Sequence, residues 1–190
     1  MINIVIFGKP GAGKGTQAEF LKSKYNLIHI STGDLFRHHI SNKTEMGLKV
    51  TSIIEDGDLV PDKLTIDILE NEVKKHNNTN GFIFDGFPRT INQAKKLDDF
   101  LKSLSMQISF TIALEADDEI LLHRLLKRGE TSGRSDDINK VKILNRFQEY
   151  NEKTLPLKEF YSKQNKLFAI NGVGDIKVIS ERLISIIENS

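Results

Sequence analysis

An apolar run near the start of this chain leads directly into a glycine-rich turn. Residues 2–7 are almost wholly apolar, and residues 8–16 read Gly-Lys-Pro-Gly-Ala-Gly-Lys-Gly-Thr. Residues 17–25 are compatible with a helix, so the segment predicts a strand, a tight turn and a helix in succession. Glycines let the backbone approach a ligand closely, and the N–H groups at a helix N-terminus favour anions. The segment therefore predicts a polyphosphate site.

The spacing of Gly8, Gly13 and Lys14 is that of a phosphate-binding P-loop, whose lysine reaches the β- and γ-phosphates. Gly15 stands where a P-loop usually has Ser or Thr, and Thr16 comes one place later. A plain glycine-rich turn is the alternative interpretation. The strand–turn–helix context favours the P-loop.

Composition narrows the class of protein. A length of 190 residues suits one domain, and a net charge of +1 argues against a nucleic-acid or membrane surface. Because the chain has no cysteine, we expect no disulfide and no thiolate zinc site. The five histidines show no ligand-pair spacing and are interpreted as structural or surface residues. No apolar run approaches the length of a membrane span, so we expect a soluble, cytoplasmic protein.

Apolar runs alternate with helix-compatible segments along the chain. We predict strands at residues 2–7, 27–30, 82–85, 108–114 and 167–170. We predict helices at residues 14–25, 33–41, 46–57, 62–76, 90–104, 117–128, 139–162 and 175–188. This alternation predicts an α/β fold with a doubly wound, five-stranded parallel sheet covered on both faces. Ligands of such sheets bind beyond the carboxyl ends of the strands.

Two segments interrupt the alternation. Residues 31–75 are far longer than one crossover requires, and residues 128–138 form a short polar loop with two glycines. Residues 77–81 have the composition of a turn. The chain shows no internal repeat or flexible linker, so we expect residues 1–190 to form one domain.

A carboxylate and an arginine follow the third predicted strand. Asp85 ends this strand, and residues 86–90 read Gly-Phe-Pro-Arg-Thr. A carboxylate at the tip of a buried strand beside a P-loop is typical of a Mg²⁺ anchor, although Asp85 could instead cap the following turn. Pro88 fixes the turn, and we expect Arg89 to point into the ligand crevice.

A capped helix follows the second predicted strand. We predict Thr32 as its N-cap and Asp34 in its first turn, where an acidic side chain is favourable. A capped helix start can still offer N–H groups to an anion. Arg37 lies about one turn further on, within reach of the same anion.

Arginine is scarce in this chain, because only seven of its 27 basic residues are arginine. Arginine offers phosphate a planar, bidentate fork that lysine lacks. Four of the seven fall within residues 124–146: Arg124, Arg128, Arg134 and Arg146. We interpret them as a cluster for phosphoryl charge. The alternative is a solvated, salt-bridged helical face that uses the acidic residues Asp117, Asp118, Glu119, Asp136 and Asp137.

These motifs together resemble the adenylate kinase family along the whole chain. The matching segments are Gly-x-Pro-Gly-x-Gly-Lys-Gly-Thr at 8–16, Ser-Thr-Gly-Asp-x-x-Arg at 31–37, Gly-Asp-Leu-Val-Pro at 57–61, Asp-Gly-Phe-Pro-Arg-Thr at 85–90, Gln93, and Arg-Gly-x-x-Ser-Gly-Arg-x-Asp-Asp at 128–137. The last segment is similar to that of short-lid members, which lack the longer insertion with its zinc site.

The resemblance implies a nucleoside monophosphate kinase fold with a core (1–30, 61–126 and 138–190), a small helical AMP-binding insertion (31–60) and a short lid (127–137). It implies that the ATP phosphates are held by Gly11, Ala12, Gly13, Lys14, Gly15 and Thr16. Arg124 would cover the ATP adenine, with backbone contacts from Gly172 and Gly174. AMP would meet Thr32, Arg37, Asp58, Leu59, Val60, Gly86, Phe87, Pro88, Arg89 and Gln93.

The resemblance also implies how the phosphoryl group moves. The residues that would act on it are Lys14, Arg89, Arg124, Arg128, Arg134 and Arg146, of which Arg89, Arg134 and Arg146 would also touch the acceptor. Mg²⁺ would accompany ATP, anchored by Asp85 through water. We expect the substrates ATP, AMP and ADP, no structural zinc, no nucleic-acid or membrane partner, and a monomer.

One departure from the family pattern concerns the spacing of two arginines. Arg134 and Arg146 lie twelve positions apart, one more than is usual in the family, and Ile138 is the extra residue before the predicted cap Asn139. One additional helical residue would rotate a face by about 100°. We expect the loop to absorb it.

The predicted reaction is reversible, Mg-dependent, in-line transfer, ATP + AMP ⇌ 2 ADP, without a covalent intermediate. A phosphate monoester is largely dianionic at neutral pH, so it needs no general base. A UMP/CMP kinase is the nearest alternative, although Thr32 and Gln93 resemble the adenylate form. A P-loop switch protein of the GTPase kind would need Asn-Lys-x-Asp after a late strand, and residues 42–45 are early and end in Glu. A nucleic-acid-dependent ATPase would show a basic surface.

Overall fold

A computed structural model of the protein describes residues 1–76 and 78–189. Its centre is a five-stranded sheet with the order β2-β3-β1-β4-β5. Every neighbouring pair is parallel. The strands are β1 (Ile2–Phe7), β2 (Ile28–Ser31), β3 (Gly81–Asp85), β4 (Phe110–Glu115) and β5 (Leu167–Asn171). The predicted fold class is confirmed, and each strand lies within two residues of its predicted position.

Helices cover both faces of this sheet. They are α1 (Lys14–Tyr25), α2 (Thr32–Ser41), α3 (Glu45–Asp56), α4 (Asp62–Lys74), α5 (Ile91–Ser103), α6 (Asp118–Ser132), α7 (Lys140–Glu149), α8 (Leu157–Ser162) and α9 (Ile176–Asn189). A 3₁₀ turn spans Ser135–Asp137, and a π-helical segment spans Tyr150–Thr154. None of the helices described is long and apolar enough to cross a membrane.

The core has two layers because the central strands bury both of their faces. Val5 and Phe7 of β1 join one apolar cluster, which also contains Phe82 and Phe84 of β3. Ile4, Ile6 and Ile83 join a second cluster on the other face. Side chains alternate across a strand, so these continuous apolar runs supply both layers at once.

The long segment after β2 has a small core of its own. Phe36 of α2, Val50 of α3 and Val60 form a third buried cluster, separate from the two layers against the sheet. The helices of this segment therefore pack on one another. The domain boundaries given above remain predictions.

The prediction of one helix over 139–162 is wrong. The π-helical segment follows Glu149, and Pro156 precedes α8. Proline has no N–H to donate to the preceding turn, which interrupts the regular hydrogen-bonding pattern. The strict 3.6-residue pattern therefore ends near residue 150.

The predicted polar loop at 128–138 is also partly wrong, because α6 continues to Ser132. The helix ends at Gly133, whose φ of 65° places it in the left-handed region that favours glycine. The predicted turn at 77–81 includes Asn77, which lies outside the described residues.

Candidate active site

A cavity of about 590 Å³ lies at the carboxyl ends of the central strands, where a parallel α/β sheet binds ligands. Its lining joins the glycine-rich turn to six of the seven arginines. The predicted site residues that line it are Gly11, Ala12, Gly13, Lys14, Gly15, Thr16, Arg37, Asp85, Gly86, Arg89, Arg124, Arg128, Arg134, Arg146, Gly172 and Gly174.

The glycine-rich turn presents the N-terminus of α1 to this cavity. Gly13 precedes the helix with a φ of 95°, in the left-handed region, and no side chain caps the helix. The Lys14 ammonium donates to the carbonyls of Gly8 (2.9 Å) and Lys9 (3.2 Å), so it folds back over the turn. Uncapped N–H groups and an adjacent ammonium suit a polyphosphate.

The positive groups in this cavity repel one another. Burial against the cavity wall lowers the pKa of Lys14 to about 8; the nearby charge of Asp85 opposes this shift, and the arginines add to it. Burial likewise lowers the pKa of Arg89 to about 10, with Arg146 as the next cause. An anion placed among them would relieve both effects.

Asp85 is buried at the tip of β3, where its side chain lies beside His29. The Oδ2 atom of Asp85 is 3.4 Å from Nε2 of His29, whose Nδ1 is 2.9 Å from Glu19. Burial alone would lower the pKa of His29, but its interactions with the carboxylates of Asp85 and Glu19 raise it. From sequence alone this histidine is interpreted as a structural or surface residue, since its spacing gives no signal of the contact with Asp85.

The prediction that Thr32 caps α2 is wrong. Ser31 is the cap, and its hydroxyl accepts from the N–H of Asp34. Thr32 is buried, and its hydroxyl donates instead to the carbonyl of Gly86 (3.0 Å). Asp34 lies in the first turn as predicted. Two hydroxyls stand in succession here, and only the backbone position of the first allows it to cap the helix.

Two arginines from different segments meet at Asp34. Arg37 donates to its Oδ1 at 2.6 Å, and Arg134 lies 3.6 Å from the same atom. The predicted lid and the predicted AMP-binding insertion are therefore in contact through this carboxylate.

Two further arginines share the buried carboxylate of Asp137. Arg128 donates to both of its oxygens, at 2.6 and 3.1 Å, and Arg146 donates to Oδ1 at 2.6 Å. Burial would raise the pKa of Asp137, but the hydrogen bond and charge of Arg128, aided by Arg146, lower it. Asp136 also lies 3.0 Å from Arg146. These two acids therefore pair with the arginines, but they are buried and do not form the solvated face of the alternative interpretation; they brace the arginines at the cavity.

The extra residue Ile138 does not displace Arg146 from the cavity. The 3₁₀ turn ends just before it, its side chain is 65% exposed, and α7 begins after Asn139. Asn139 accepts from the N–H of Val141 (2.8 Å), as expected of a helix cap. The loop has absorbed the additional residue.

Arg124 lies at the far side of the cavity from Asp34. Its guanidinium donates to the carbonyl of Gly172 (3.2 Å) and lies 3.5 Å from that of Gly11. Gly174 lines the same region, together with Ile176 and Ile179. A flat guanidinium beside apolar side chains suits a planar base.

A smaller cavity of about 60 Å³ lies beside the α2–α4 segment. Its lining includes eight residues discussed above: Thr32, Arg37, Leu59, Val60, Arg89, Gln93, Asp136 and Arg146. Arg89 donates from Nε to the carbonyl of Gly86 (2.7 Å), and Pro88 follows a cis peptide bond. Phe87 packs in the hydrophobic core instead, and Asp58 accepts from Asn145.

The chemistry of the cavity suits Mg²⁺. This ion binds through one or two carboxylates together with substrate phosphates. Asp85 and the hydroxyl-bearing Thr16 supply oxygen donors in the same cavity as the glycine-rich turn. The part of the chain that the structure describes contains no cluster of three or more His, Cys, Asp or Glu residues that could hold a metal alone.

Fold and cavity together define a nucleotide-binding protein of the P-loop class. Residues 6–166 match the family model described as adenylate kinase. The adenylate kinase of Flavobacterium psychrophilum is 60% identical over 189 residues, and that of Flavobacterium johnsoniae is 58% identical, each covering 100% of both chains. The adenylate kinase of Bacteroides fragilis is 46% identical over 188 residues, or 99% of both chains.

The chain therefore belongs to the adenylate kinase family. It is a phosphotransferase that uses ATP and AMP. Neither the UMP/CMP kinase nor the switch-protein alternative is favoured.

Proposed function

We propose that this chain transfers a phosphoryl group directly between ATP and AMP, giving two ADP, with the residues of the two cavities in the roles set out below. One observation carries the proposal. The uncapped N-terminus of α1 faces the larger cavity, and Thr32 and Gln93 line the smaller cavity next to it. Arg89 and Arg146 line both cavities.

The donor half of the site would bind ATP. The turn from Gly11 to Thr16 and the Lys14 ammonium would hold its phosphates, and Arg124 would stack on its adenine. Asp85 would anchor Mg²⁺, which when bound would neutralise charge on the donor phosphates.

The acceptor half would bind AMP. Arg37 and Arg89 would grip the monophosphate, while the backbone at 58–60 and the side chains of Thr32 and Gln93 would surround the adenine. Gly86 and Pro88 shape the turn that carries Arg89, and Phe87 supports that turn from the core.

Transfer needs no proton acceptor, because the attacking phosphate is already dianionic near neutral pH. The chain supplies positioning, which is worth up to roughly 7–11 kcal/mol, and fixed positive charge. Arg89, Arg128, Arg134 and Arg146 would surround the moving group. Asp137 holds two of these guanidiniums in place, so little reorganisation accompanies the transfer.

Water must be excluded, or the phosphoryl group would be lost to hydrolysis. We propose that the insertion (31–60) and the lid (127–137) close over the substrates. The contact of Arg134 with Asp34 joins these segments across the cavity and supports this role. We also propose a cytoplasmic monomer without nucleic-acid or membrane partners, consistent with the net charge of +1.

An acceptor panel tests the proposal. The protein is mixed with Mg-ATP and with AMP, UMP, CMP or GMP in turn, and the diphosphates formed are separated and quantified. We expect rapid ADP formation with AMP and far slower reaction with the others. A pyrimidine acceptor used as well as AMP would overturn the proposal.

A further inference from the structure

Gln93 is almost completely buried, and both ends of its side-chain amide are held. Only 1% of the residue is exposed. Its Oε1 accepts from the backbone N–H of Arg89 at 2.7 Å, and its Nε2 donates to Oδ1 of Asp62 at 2.7 Å. The Asp62 carboxylate also accepts from Thr90 (3.1 Å to Oδ2) and from Asn92 (2.7 Å).

These partners determine which way the Gln93 amide points. A backbone N–H can only donate, so it requires the oxygen of the amide. An ionised carboxylate can only accept, so it requires the nitrogen. Rotating the amide by 180° would set N–H against N–H at Arg89 and oxygen against oxygen at Asp62. The flipped orientation is therefore excluded from both ends.

The locked amide retains hydrogen-bonding capacity for a ligand. An amide has two N–H donors and two acceptor lone pairs, and one of each remains after the bonds to Asp62 and Arg89. Gln93 lines the smaller cavity beside Thr32 and Val60. That cavity therefore presents one donor and one acceptor in a fixed order.

Adenine and hypoxanthine differ in this order. At its N1/C6 edge adenine offers an acceptor and then an amino donor, whereas hypoxanthine offers an N–H donor and then a carbonyl acceptor. The two bases have nearly the same size, so shape alone separates them poorly. A freely rotating amide could satisfy either base, and a locked amide satisfies one.

We propose that Asp62 is a specificity-determining positioning residue: by accepting the Gln93 amide N–H, it locks the amide in the order that reads a 6-aminopurine and rejects a 6-oxopurine. The inference rests on the proposed function, in which Gln93 faces the acceptor base. Asp62 does not touch the nucleotide and acts through Gln93.

The first test uses the unaltered protein. Initial rates with Mg-ATP are measured over a range of AMP and of IMP concentrations, and kcat/KM is compared. We expect AMP to be preferred by a factor on the order of 10² or more, because a site with buried, fixed hydrogen-bonding groups rejects a mismatched analogue strongly. Comparable kcat/KM values for AMP and IMP would overturn the proposal that the Gln93 amide is locked, and this result needs no variant.

The second test removes the acceptor group with Asp62→Ala. The variant removes the charge-assisted hydrogen bond that holds the nitrogen end of the Gln93 amide, while the Arg89 N–H still restrains the oxygen end. We expect the AMP/IMP ratio of kcat/KM to fall by about tenfold. The matched control is Asp67→Ala, on the exposed face of the same helix and paired only with Lys63 among the described contacts. We expect it to leave the ratio unchanged.

The readouts separate the possible failures. A purely structural role for Asp62 would lower kcat/KM for AMP and IMP together and keep their ratio, which would overturn the inference while leaving the proposed function standing. No diphosphate from AMP with the unaltered protein would overturn the proposed function itself. If Asp62→Ala does not fold, the unaltered protein still tests the lock, because comparable kcat/KM values with AMP and IMP would overturn it.

Discussion

Lys14 is the residue whose charge depends most on what the cavity holds. Burial lowers its pKa to about 8, and the neighbouring arginines add to this shift. Polyphosphate would add negative charge beside the ammonium and raise its pKa again. At a pH between the pKa of Lys14 in the free protein and its higher pKa in the complex, the complex holds more protons. Binding therefore takes up a proton in this pH range.

This difference predicts pH-dependent proton uptake. Near pH 8.5 we expect a non-hydrolysable ATP analogue to bind with net uptake of a proton by Lys14, and near pH 6.5 we expect none from this group. Calorimetry in two buffers with different ionisation enthalpies measures the uptake. The Lys14→Met variant, titrated at higher ligand concentration, should lose it. Equal uptake in both proteins would assign the proton elsewhere.

For Arg89 we predict that substitution lowers the rate of phosphoryl transfer far more than it lowers the stability of the protein. Its guanidinium is anchored to the Gly86 carbonyl and faces Arg146. Lysine keeps the charge but loses the fork. We expect Arg89→Lys to lower kcat by about 10²–10³, as for loss of other transition-state donors. We expect the melting temperature to shift by only a few degrees, measured by circular dichroism. A collapse of stability with the rate intact would contradict the assigned role.

Residue types explain which site positions could be predicted from sequence. Arginine stood out because lysine supplies most of the ordinary surface charge. Asp62 and Asn145 could not be singled out from the sequence, because an acid at the start of a helix and an amide on a helix are common on any protein surface. Their roles depend on partners 31 and 87 positions away, which no local pattern encodes.

Helix α7 contacts the proposed AMP-binding insertion (31–60). The Nδ2 of Asn145 donates to the carbonyl of Asp56 and to Oδ1 of Asp58, both at 2.9 Å. A Cβ at Gly57 would lie 2.9 Å from Cγ of Arg146 and 2.9 Å from the carbonyl of Lys142. The insertion and α7 are therefore in close backbone contact, which only glycine permits.

This contact predicts a change in acceptor affinity. Asn145→Ala removes two hydrogen bonds worth about 0.5–1.5 kcal/mol each, which weakens the docked state of the insertion. We expect KM for AMP to rise about three- to tenfold with kcat changed less than twofold. Steady-state kinetics measures both. Gln148→Ala, on the same helix with its amide bonded to Glu152, is the matched control. A loss confined to kcat would contradict the interpretation.

At the scale of elements, strands were predicted better than helix ends. Continuous apolar runs identify buried parallel strands directly, since both faces are covered. Helix ends depend on single residues: Gly133 rather than Gly129 ends α6, and the π-helical segment before Pro156 divides what looked like one helix. Both misplaced ends follow from local backbone geometry that periodicity does not report.

The molecule as a whole encloses cations that repel one another, and acids such as Asp34 and Asp137 neutralise only part of their charge. A bisubstrate analogue with two adenosines joined by five phosphates would occupy both halves at once. Ligand at 100 times its Kd stabilises a protein by about 2.7 kcal/mol, and a protein of this size gains about 2–4 °C per kcal/mol. We expect a rise of about 5–10 °C in melting temperature, more than with ATP or AMP at the same concentration.

A variant in the proposed lid (127–137) tests the same enclosure. Arg134→Ala removes the contact of this segment with Asp34, so we expect a smaller rise in melting temperature with the bisubstrate analogue. Arg182→Ala, at an arginine that lines none of the cavities described and bonds to the Asn171 carbonyl, should keep the full rise. An unchanged rise with Arg134→Ala would contradict enclosure of the analogue by the lid.

Ile138, the additional residue, lies at the junction between the proposed lid (127–137) and α7. The carboxylate of Asp137 accepts from both Arg128 and Arg146, so this shared ion pair holds the two guanidiniums side by side. We therefore expect this junction to tolerate an added or a removed residue without displacing Arg146 from the cavity. The junction is a natural place to graft a longer loop or a reporter, provided Asp137 is kept.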